Sequence, residues 1–183
     1  ATTVRASATT DAMTLDGHAH FVIDGLAADL LLVVARDARD GALGLYAVDG
    51  AAPGLARRAL ATIDTTRRLA ALDFDACPAR ALGAGRDFAA GFARLLDRAT
   101  IALAAEMIGG ARALLDQAVD YARLRMQFGR PIGAFQAIKH KLADLLLEVE
   151  VATAAVRYAA AAVDAGDGEI PALASHAKAM ASE

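Results

Sequence analysis

A guanidinium and two amides, set close together beside a break in a long apolar pattern, are the groups in this sequence best suited to hold a ligand. Arg125, Gln127 and Gln136 lie in the stretch Asp120-Tyr-Ala-Arg-Leu-Arg-Met-Gln-Phe-Gly-Arg-Pro-Ile-Gly-Ala-Phe-Gln136, where Gly129-Arg-Pro131-Ile-Gly133 must interrupt a helix. Helix ends leave backbone groups unpaired and carry partial charge, and an arginine fork matches phosphate geometry, so an anionic ligand suits this corner. The same side chains could instead cap or bridge helices, and the residues alone leave both readings open.

Other reactive groups are less favourably set. His18 and His20 are two apart on a predicted strand and share a face, the geometry of a metal pair, but no third ligand is spaced with them. Cys77 is the single cysteine, next to Pro78 and without a nearby His or Lys to lower its pKa, so nucleophilic catalysis is not expected. Glu106, Glu148 and Glu150 read as helix-surface carboxylates, and His140 with Asp144 as a structural i, i+4 pair. Glycine-rich phosphate loops and dinucleotide fingerprints are absent from the sequence.

The elements that must carry these groups change character near residues 76–88. Before that point short strands are predicted at Thr3-Val-Arg-Ala6, after a segment opening at Asp11 and turning at Gly17 over His18–Ile23, at Leu30–Ala35, around Leu43–Val48, and over 69–74 with Leu72 and Phe74 on one face. Leu30–Ala35 is uniformly apolar and reads as buried on both faces. Pro53-Gly54 breaks the fourth run, and Cys77-Pro78 ends this half. From about Asp87 to Arg125 the period is helical, with Leu96, Leu103, Met107, Leu114 and Ala118 as the apolar stripe and Gly109-Gly110 admitting a neighbouring helix. A second helix carries Ile138, Leu142, Leu145, Val149, Ala152, Val156, Ala159 and Val163, and Asp164-Ala-Gly166-Asp167-Gly168 closes it before Pro171 opens a third. The expectation is an α+β chain: a small antiparallel sheet or barrel over residues 1–80, then a long-helix bundle over 81–183.

Composition sets the outer limits. With 183 residues, 56% of them hydrophobic, the chain can bury a sizeable core, and a net charge of -3 without like-charge runs gives no reason to expect nucleic acid or an anionic membrane. One cysteine rules out an internal disulfide framework, which makes a reducing, cytoplasmic setting the default. No targeting or membrane-spanning segment is evident, and Leu30–Ala35 is far too short to span a bilayer. Without an opening Met, and with Glu183 falling inside the third predicted helix, the chain is expected to be a fragment.

The corner also resembles a known family. Tyr121-Ala-Arg-Leu-Arg125-Met-Gln-Phe128-Gly129-Arg-Pro-Ile132-Gly-Ala-Phe-Gln136, followed by Ala-Ile-Lys-His140-Lys-Leu-Ala-Asp144, is similar to the signature of the acyl-CoA dehydrogenases, and the likeness extends back through Ala104-Ala-Glu-Met-Ile-Gly109-Gly110. The resemblance implies a partial middle β domain and the first part of a C-terminal helical domain. It implies that Arg125 meets the pyrophosphate of FAD bound mainly by a neighbouring subunit, with Gln127, Phe128, Ile132, Phe135 and Gln136 near that cofactor and Gln136 toward its adenine. Phe21-Val22-Ile23 aligns with a Trp-Ile-Thr lying along the flavin ring, so an aromatic is kept while a hydroxyl is lost. Asp97 falls where the family meets acyl-CoA, but the Arg usual three residues on is Thr100. The catalytic Glu is expected beyond Glu183, and its alternative position is Ala99. The implied activity is α,β-desaturation of an acyl-CoA with electron-transfer flavoprotein as acceptor, in a homo- or hetero-oligomeric dimer or tetramer. Alternatives are a non-catalytic FAD-binding or assembly subunit of a heteromeric enzyme, or a flavin oxidase or monooxygenase relative.

Overall fold

The structure, a computed structural model, describes residues 3–8, 13–84, 86–166 and 168–183, so the predicted positions Asp11 and Asp167 lie outside the described residues. The chain divides into two compact units, Ala1–Phe92 and Ala93–Glu183.

The first unit is a six-stranded sheet. β1 (Arg5–Ala8), β2 (Met13–Ile23), β3 (Leu30–Asp37), β4 (Leu43–Asp49), β5 (Leu55–Ala59) and β6 (Leu69–Ala84) run in the order β2-β1-β3-β4-β6-β5. A further β2–β6 pairing, with Met13 opposite Ala79 and Ile23 opposite Leu69, closes the sheet on itself. Closure removes most of the exposed edge that an open sheet would present. Among the described residues only β1 and β3 run parallel, and the other pairings are antiparallel. The core collects Val4, Leu15, Leu31, Val33, Tyr46, Val48, Leu72, Phe74 and Cys77, each buried. Burying such aliphatic and aromatic side chains contributes about 1.5–3 kcal/mol apiece.

Three expectations change here. Leu30–Ala35 alternates rather than being buried throughout: Leu31, Val33 and Ala35 point into the core, whereas Leu30 and Leu32 are 60% and 62% exposed. Strand β5 was not expected after Pro53-Gly54, yet Gly54 (φ +77) makes the turn into it. A Cβ at Gly54 would stand 2.0 Å from the Asp75 carbonyl oxygen, so no larger residue fits. Cys77-Pro78 does not end the half, because β6 runs on to Ala84. Pro78 is accommodated where, along one edge of β6, pairing with β5 has ceased at Phe74 and pairing with β4 begins only at Arg80.

The second unit is helical. α1 (Arg86–Leu124) leads into it, followed by a short corner, α2 (Gln136–Ala165) and α3 (Ile170–Met180). Gly166, left-handed at φ 69, caps α2 by donating its N–H to the Ala162 and Val163 carbonyls, and Pro171 sits in the first turn of α3. α3 ends at Met180, so Glu183 lies past it rather than inside a helix. Ile101, Ala104, Ile108, Ala152, Val156, Ala159, Ala174 and Ala177 form the core. The α2 prediction matches this packing over Ala152, Val156 and Ala159, while Leu145 is exposed. The α1 prediction misses: Leu96, Leu103 and Leu114 are exposed, and the buried stripe is Ile101, Ala104, Ile108, Leu115 and Ala122. Gly109 and Gly110 face open space rather than a neighbouring helix of this chain. The described residues contain no helix long and apolar enough to cross a membrane.

Candidate functional site

The corner between α1 and α2 is built by backbone hydrogen bonds. Arg125 donates its N–H to the Tyr121 carbonyl at 2.8 Å, Ile132 donates to the Arg125 carbonyl at 2.8 Å, and Phe135 donates to the Ile132 carbonyl at 3.1 Å. Between them a miniature hairpin forms: β7 (Met126–Gln127) pairs with β8 (Arg130–Pro131), Gln127 opposite Arg130. Its loop residues Phe128 and Gly129 have φ 53 and 77, the two positive values of a type I′ turn. Gly129 adopts that conformation freely, whereas Phe128 carries about 1–2 kcal/mol of steric cost. A 3-10 turn, Ile132–Ala134, completes the corner, and a Cβ at Gly133 would stand 2.9 Å from the Ala122 carbonyl oxygen, which explains the glycine.

The side chains at this corner are open and electropositive. Arg125, Gln127 and Gln136 are exposed, Phe128 is 90% exposed, and Ile132 and Phe135 are half-buried. Among the described residues no carboxylate pairs with Arg125 or Arg130. α2 begins at N-cap Phe135 with neither a side-chain cap nor an acidic residue in its first turn, so the positive end of its dipole adds to the field of Arg125. The Phe128 and Phe135 rings meet edge to face at 6.1 Å, and the Arg130 guanidinium carbon lies 4.2 Å from the centroid of Phe135. Unpaired guanidinium groups, amides and aromatic rings together suit a diphosphate attached to a flat heterocycle. Arg130 had no assigned role in the sequence; only its place two residues after Phe128 and before Pro131 hinted at one.

The residues Phe21, Val22 and Ile23 belong to the first unit. Pairing of β2 with β6 shifts register between Ala19 and Val22, and the bulge leaves Phe21 at φ 60 and 70% exposed. Ile23 is also exposed, but Val22 packs against the barrel core, so only two of the three present side chains outward. The loop that follows is held by Arg57, which sequence reasoning missed because β5 was not foreseen. Its Nη1 donates to the carbonyls of Gly25 (3.1 Å), Leu26 (3.1 Å) and Ala28 (3.0 Å), and its Nη2 donates to the carbonyl of Gly50.

The remaining candidates fall elsewhere. Asp97 and Thr100 are half-buried on α1, and Ala99 is exposed between them. His18 and His20 stack edge to face at 5.4 Å, and among the described residues no three His, Cys, Asp or Glu side chains cluster as a metal site. Glu150 accepts a hydrogen bond from Arg112 and so ties α2 to α1. The expected His140–Asp144 pair is not formed: both side chains are exposed, and among the described residues neither has an ion-pair partner. Cys77 is fully buried, and desolvation, helped by the charge of Asp16, raises its thiol pKa.

The family model for the acyl-CoA dehydrogenase C-terminal domain matches residues 90–183. Over 163 residues the chain is 37% identical to acyl-CoA dehydrogenase IpdE2 of Mycobacterium tuberculosis, a match covering 89% of this chain and 43% of that protein. The solved structure of butyryl-CoA dehydrogenase from Megasphaera elsdenii superposes with a TM-score of 0.87 at 30% identity, covering 98% of this chain and 49% of that one. A chain of the ChsE4-ChsE5 complex from Mycobacterium tuberculosis gives a TM-score of 0.85 at 28% identity, covering 98% and 48%. The chain thus spans less than half the length of these relatives. With its closed sheet, its helical unit and the arginine-amide corner between α1 and α2, it belongs to the acyl-CoA dehydrogenase family.

Proposed function

We propose that this chain is the middle-sheet and early-bundle portion, residues 1–80 and 81–183, of an FAD-dependent enzyme that desaturates an acyl-CoA thioester between its α and β carbons. The observation that carries the proposal is the open corner: Arg125 without an acidic partner, beside the uncapped start of α2 and the strained, exposed Phe128. These residues fit FAD. Arg125 would hold the pyrophosphate through its forked N–H donors, and Gln136 would meet the adenine end. Gln127, Phe128, Ile132 and Phe135 would line the path between, serving a flavin bound mainly by a neighbouring subunit in a dimer or tetramer.

On the first unit, Phe21 would lie along the flavin of its own chain with Ile23 beside it, and Val22 would contribute through its backbone because its side chain faces the core. When bound, FAD supplies the acceptor for the hydride that leaves the β carbon. What this chain's residues do is bind and orient: Asp97 would face the acyl-CoA, and the family's catalytic Glu has no counterpart at Ala99. Electron-transfer flavoprotein is the proposed acceptor of the electrons, and the cytoplasm the proposed setting.

A second reading is favoured by particular residues. Ile23 offers no hydroxyl, and Thr100 no charge, where the resemblance places a Thr and an Arg. A chain that completes the flavin site of a partner in a heteromeric assembly would need neither. The test is the visible spectrum of the purified holoprotein before and after acyl-CoA is added. Bleaching of the flavin bands supports the dehydrogenase; a spectrum unchanged by acyl-CoA supports the partner subunit. In either case Arg125→Ala should release flavin during gel filtration, and full retention would refute the corner assignment.

A further inference from the structure

The cation that the corner uses to organise its aromatic rings is a different arginine from the one assigned to the pyrophosphate. Arg130 is exposed and among the described residues has no acidic partner. Such a side chain ordinarily samples many rotamers. Here its guanidinium lies over Phe135, 4.2 Å from the ring centroid, and the other end of that contact is Phe128, whose ring meets Phe135 at an interplanar angle of 87°. Arg130 thus sits at one end of a run of contacting groups, face-on to Phe135 and then edge to face, that ends in a phenylalanine held at φ 53 on the hairpin tip. Gln127, directly opposite Arg130 in the hairpin, shares the same two-strand scaffold. A guanidinium packed by its face on a ring keeps its edge N–H groups free, whereas an ammonium cannot pack in this way.

We infer that Arg130 is a positioning residue of the corner: by stacking on Phe135 it fixes the Phe135 and Phe128 rings against the adenine diphosphate half of the dinucleotide. The inference rests on the reading of the corner as a dinucleotide site, and the two can fail separately. Arg130 contributes geometry rather than a charge to the phosphates. Its loss therefore weakens every ligand carrying the adenine diphosphate moiety by a common factor and leaves the salt dependence of binding unchanged, while loss of Arg125 reduces that salt dependence.

The experiment measures FAD and ADP affinity of the holoprotein stripped of flavin, at several salt concentrations, for the parent, Arg125→Ala, Arg130→Ala and Arg130→Lys. FAD is read by quenching of flavin fluorescence and ADP by competition. Arg130→Ala is expected to weaken both ligands about threefold to fivefold, the range for an exposed cation–π contact, with an unaltered salt slope. Arg130→Lys is expected to behave like Arg130→Ala. Full rescue by Lys, or a reduced salt slope in Arg130→Ala, would mean that the charge acts directly and would overturn the inference. Parent-like affinity in Arg130→Ala alongside weakened Arg125→Ala would overturn it while leaving the corner reading intact. If neither variant loses affinity, the corner reading fails and takes the inference with it. Circular dichroism melting of Arg130→Ala checks the fold, which an exposed hairpin side chain should leave unaltered.

Discussion

Replacing Arg57 by Met should destabilise the protein well beyond the usual effect of a partly exposed arginine. One guanidinium gathers four carbonyls from two loops: Gly25, Leu26 and Ala28 on Nη1, and Gly50 on Nη2. A hydrogen bond from a charged donor contributes about 1.5–3 kcal/mol, but Nη1 has only two hydrogens for three acceptors, and the Leu26 carbonyl is open to water. Counting two effective bonds, and allowing water to restore part of the loss, gives about 2–4 kcal/mol. Space adds to the case, since a Cβ at Gly50 would stand 2.5 Å from both the Ala28 oxygen and Arg57 Nη2, so the loops have no slack around the side chain. At roughly 2–4 °C per kcal/mol for a chain of this size, the melting temperature should fall by about 5–15 °C. Hydrogen exchange localises the effect: the amides of Ala27 and Ala28, which donate to the Asp24 carbonyl at 2.9 and 3.1 Å, should exchange faster than those of α2. Arg57→Lys should recover less than half, because an ammonium cannot reach both loops in one plane. A loss below about 1 kcal/mol with unaltered exchange at Ala27 and Ala28 would refute the clamp.

Three further outcomes follow from the same geometry. Phe128→Asn places a residue that tolerates positive φ at the first position of the type I′ turn, so thermal unfolding should show stabilisation by about 1 kcal/mol while flavin affinity falls. Gly54→Ala drives a Cβ to 2.0 Å from the Asp75 oxygen at φ +77; the turn must move, and urea unfolding should register a loss of about 3 kcal/mol or more. Asp37 accepts hydrogen bonds from the Arg39 Nε and Nη2 and from the Arg39 backbone N–H, which lower its pKa from 3.8 to about 2. Because the folded-state value is depressed, its contribution is present above the unfolded pKa and is lost as pH falls from about 4 through about 2, so Asp37→Asn should flatten the acid limb only in that window.

How much of this was legible in the sequence depended on side-chain size and on spacing. The change from strand to helix was plain because short apolar runs broken by turn signals give way, near residues 76–88, to apolar residues recurring at helical intervals. Strand β5 was not, since Leu55-Ala-Arg-Arg-Ala59 has no apolar alternation and follows Pro53-Gly54, a pair that signals a break as readily as a turn between strands. On α1 the large leucines drew the predicted stripe to Leu96, Leu103 and Leu114, while the buried face is drawn by Ile101, Ala104 and Ile108. Alanines dominate that core: Ala104, Ala152, Ala159, Ala174 and Ala177 are all buried, and small residues that let helices approach closely carry little periodic signal in an Ala-rich chain. At the corner, Arg125 and Gln136 could be singled out by type and position, but Arg130 could not, because its role comes from a ring five residues away that a hairpin and a 3-10 turn fold back beneath it.

Backbone strain gives an independent reason to look at two of the same places. Among the described residues only Phe21, Asp24, Ala76 and Phe128 have positive φ without being glycine. Asp tolerates that region through local hydrogen bonding, but a phenylalanine there costs about 1–2 kcal/mol, and Gly or Asn would occupy either turn at less cost. Neither ring recovers the cost by burial, since Phe21 is 70% and Phe128 90% exposed. One sits at a β-bulge and the other at the tip of a type I′ hairpin, two unrelated local structures whose shared feature is that they thrust an aromatic face into solvent. Both rings are thereby left open on the surface, which is what the flavin-facing role proposed for Phe21 and Phe128 requires.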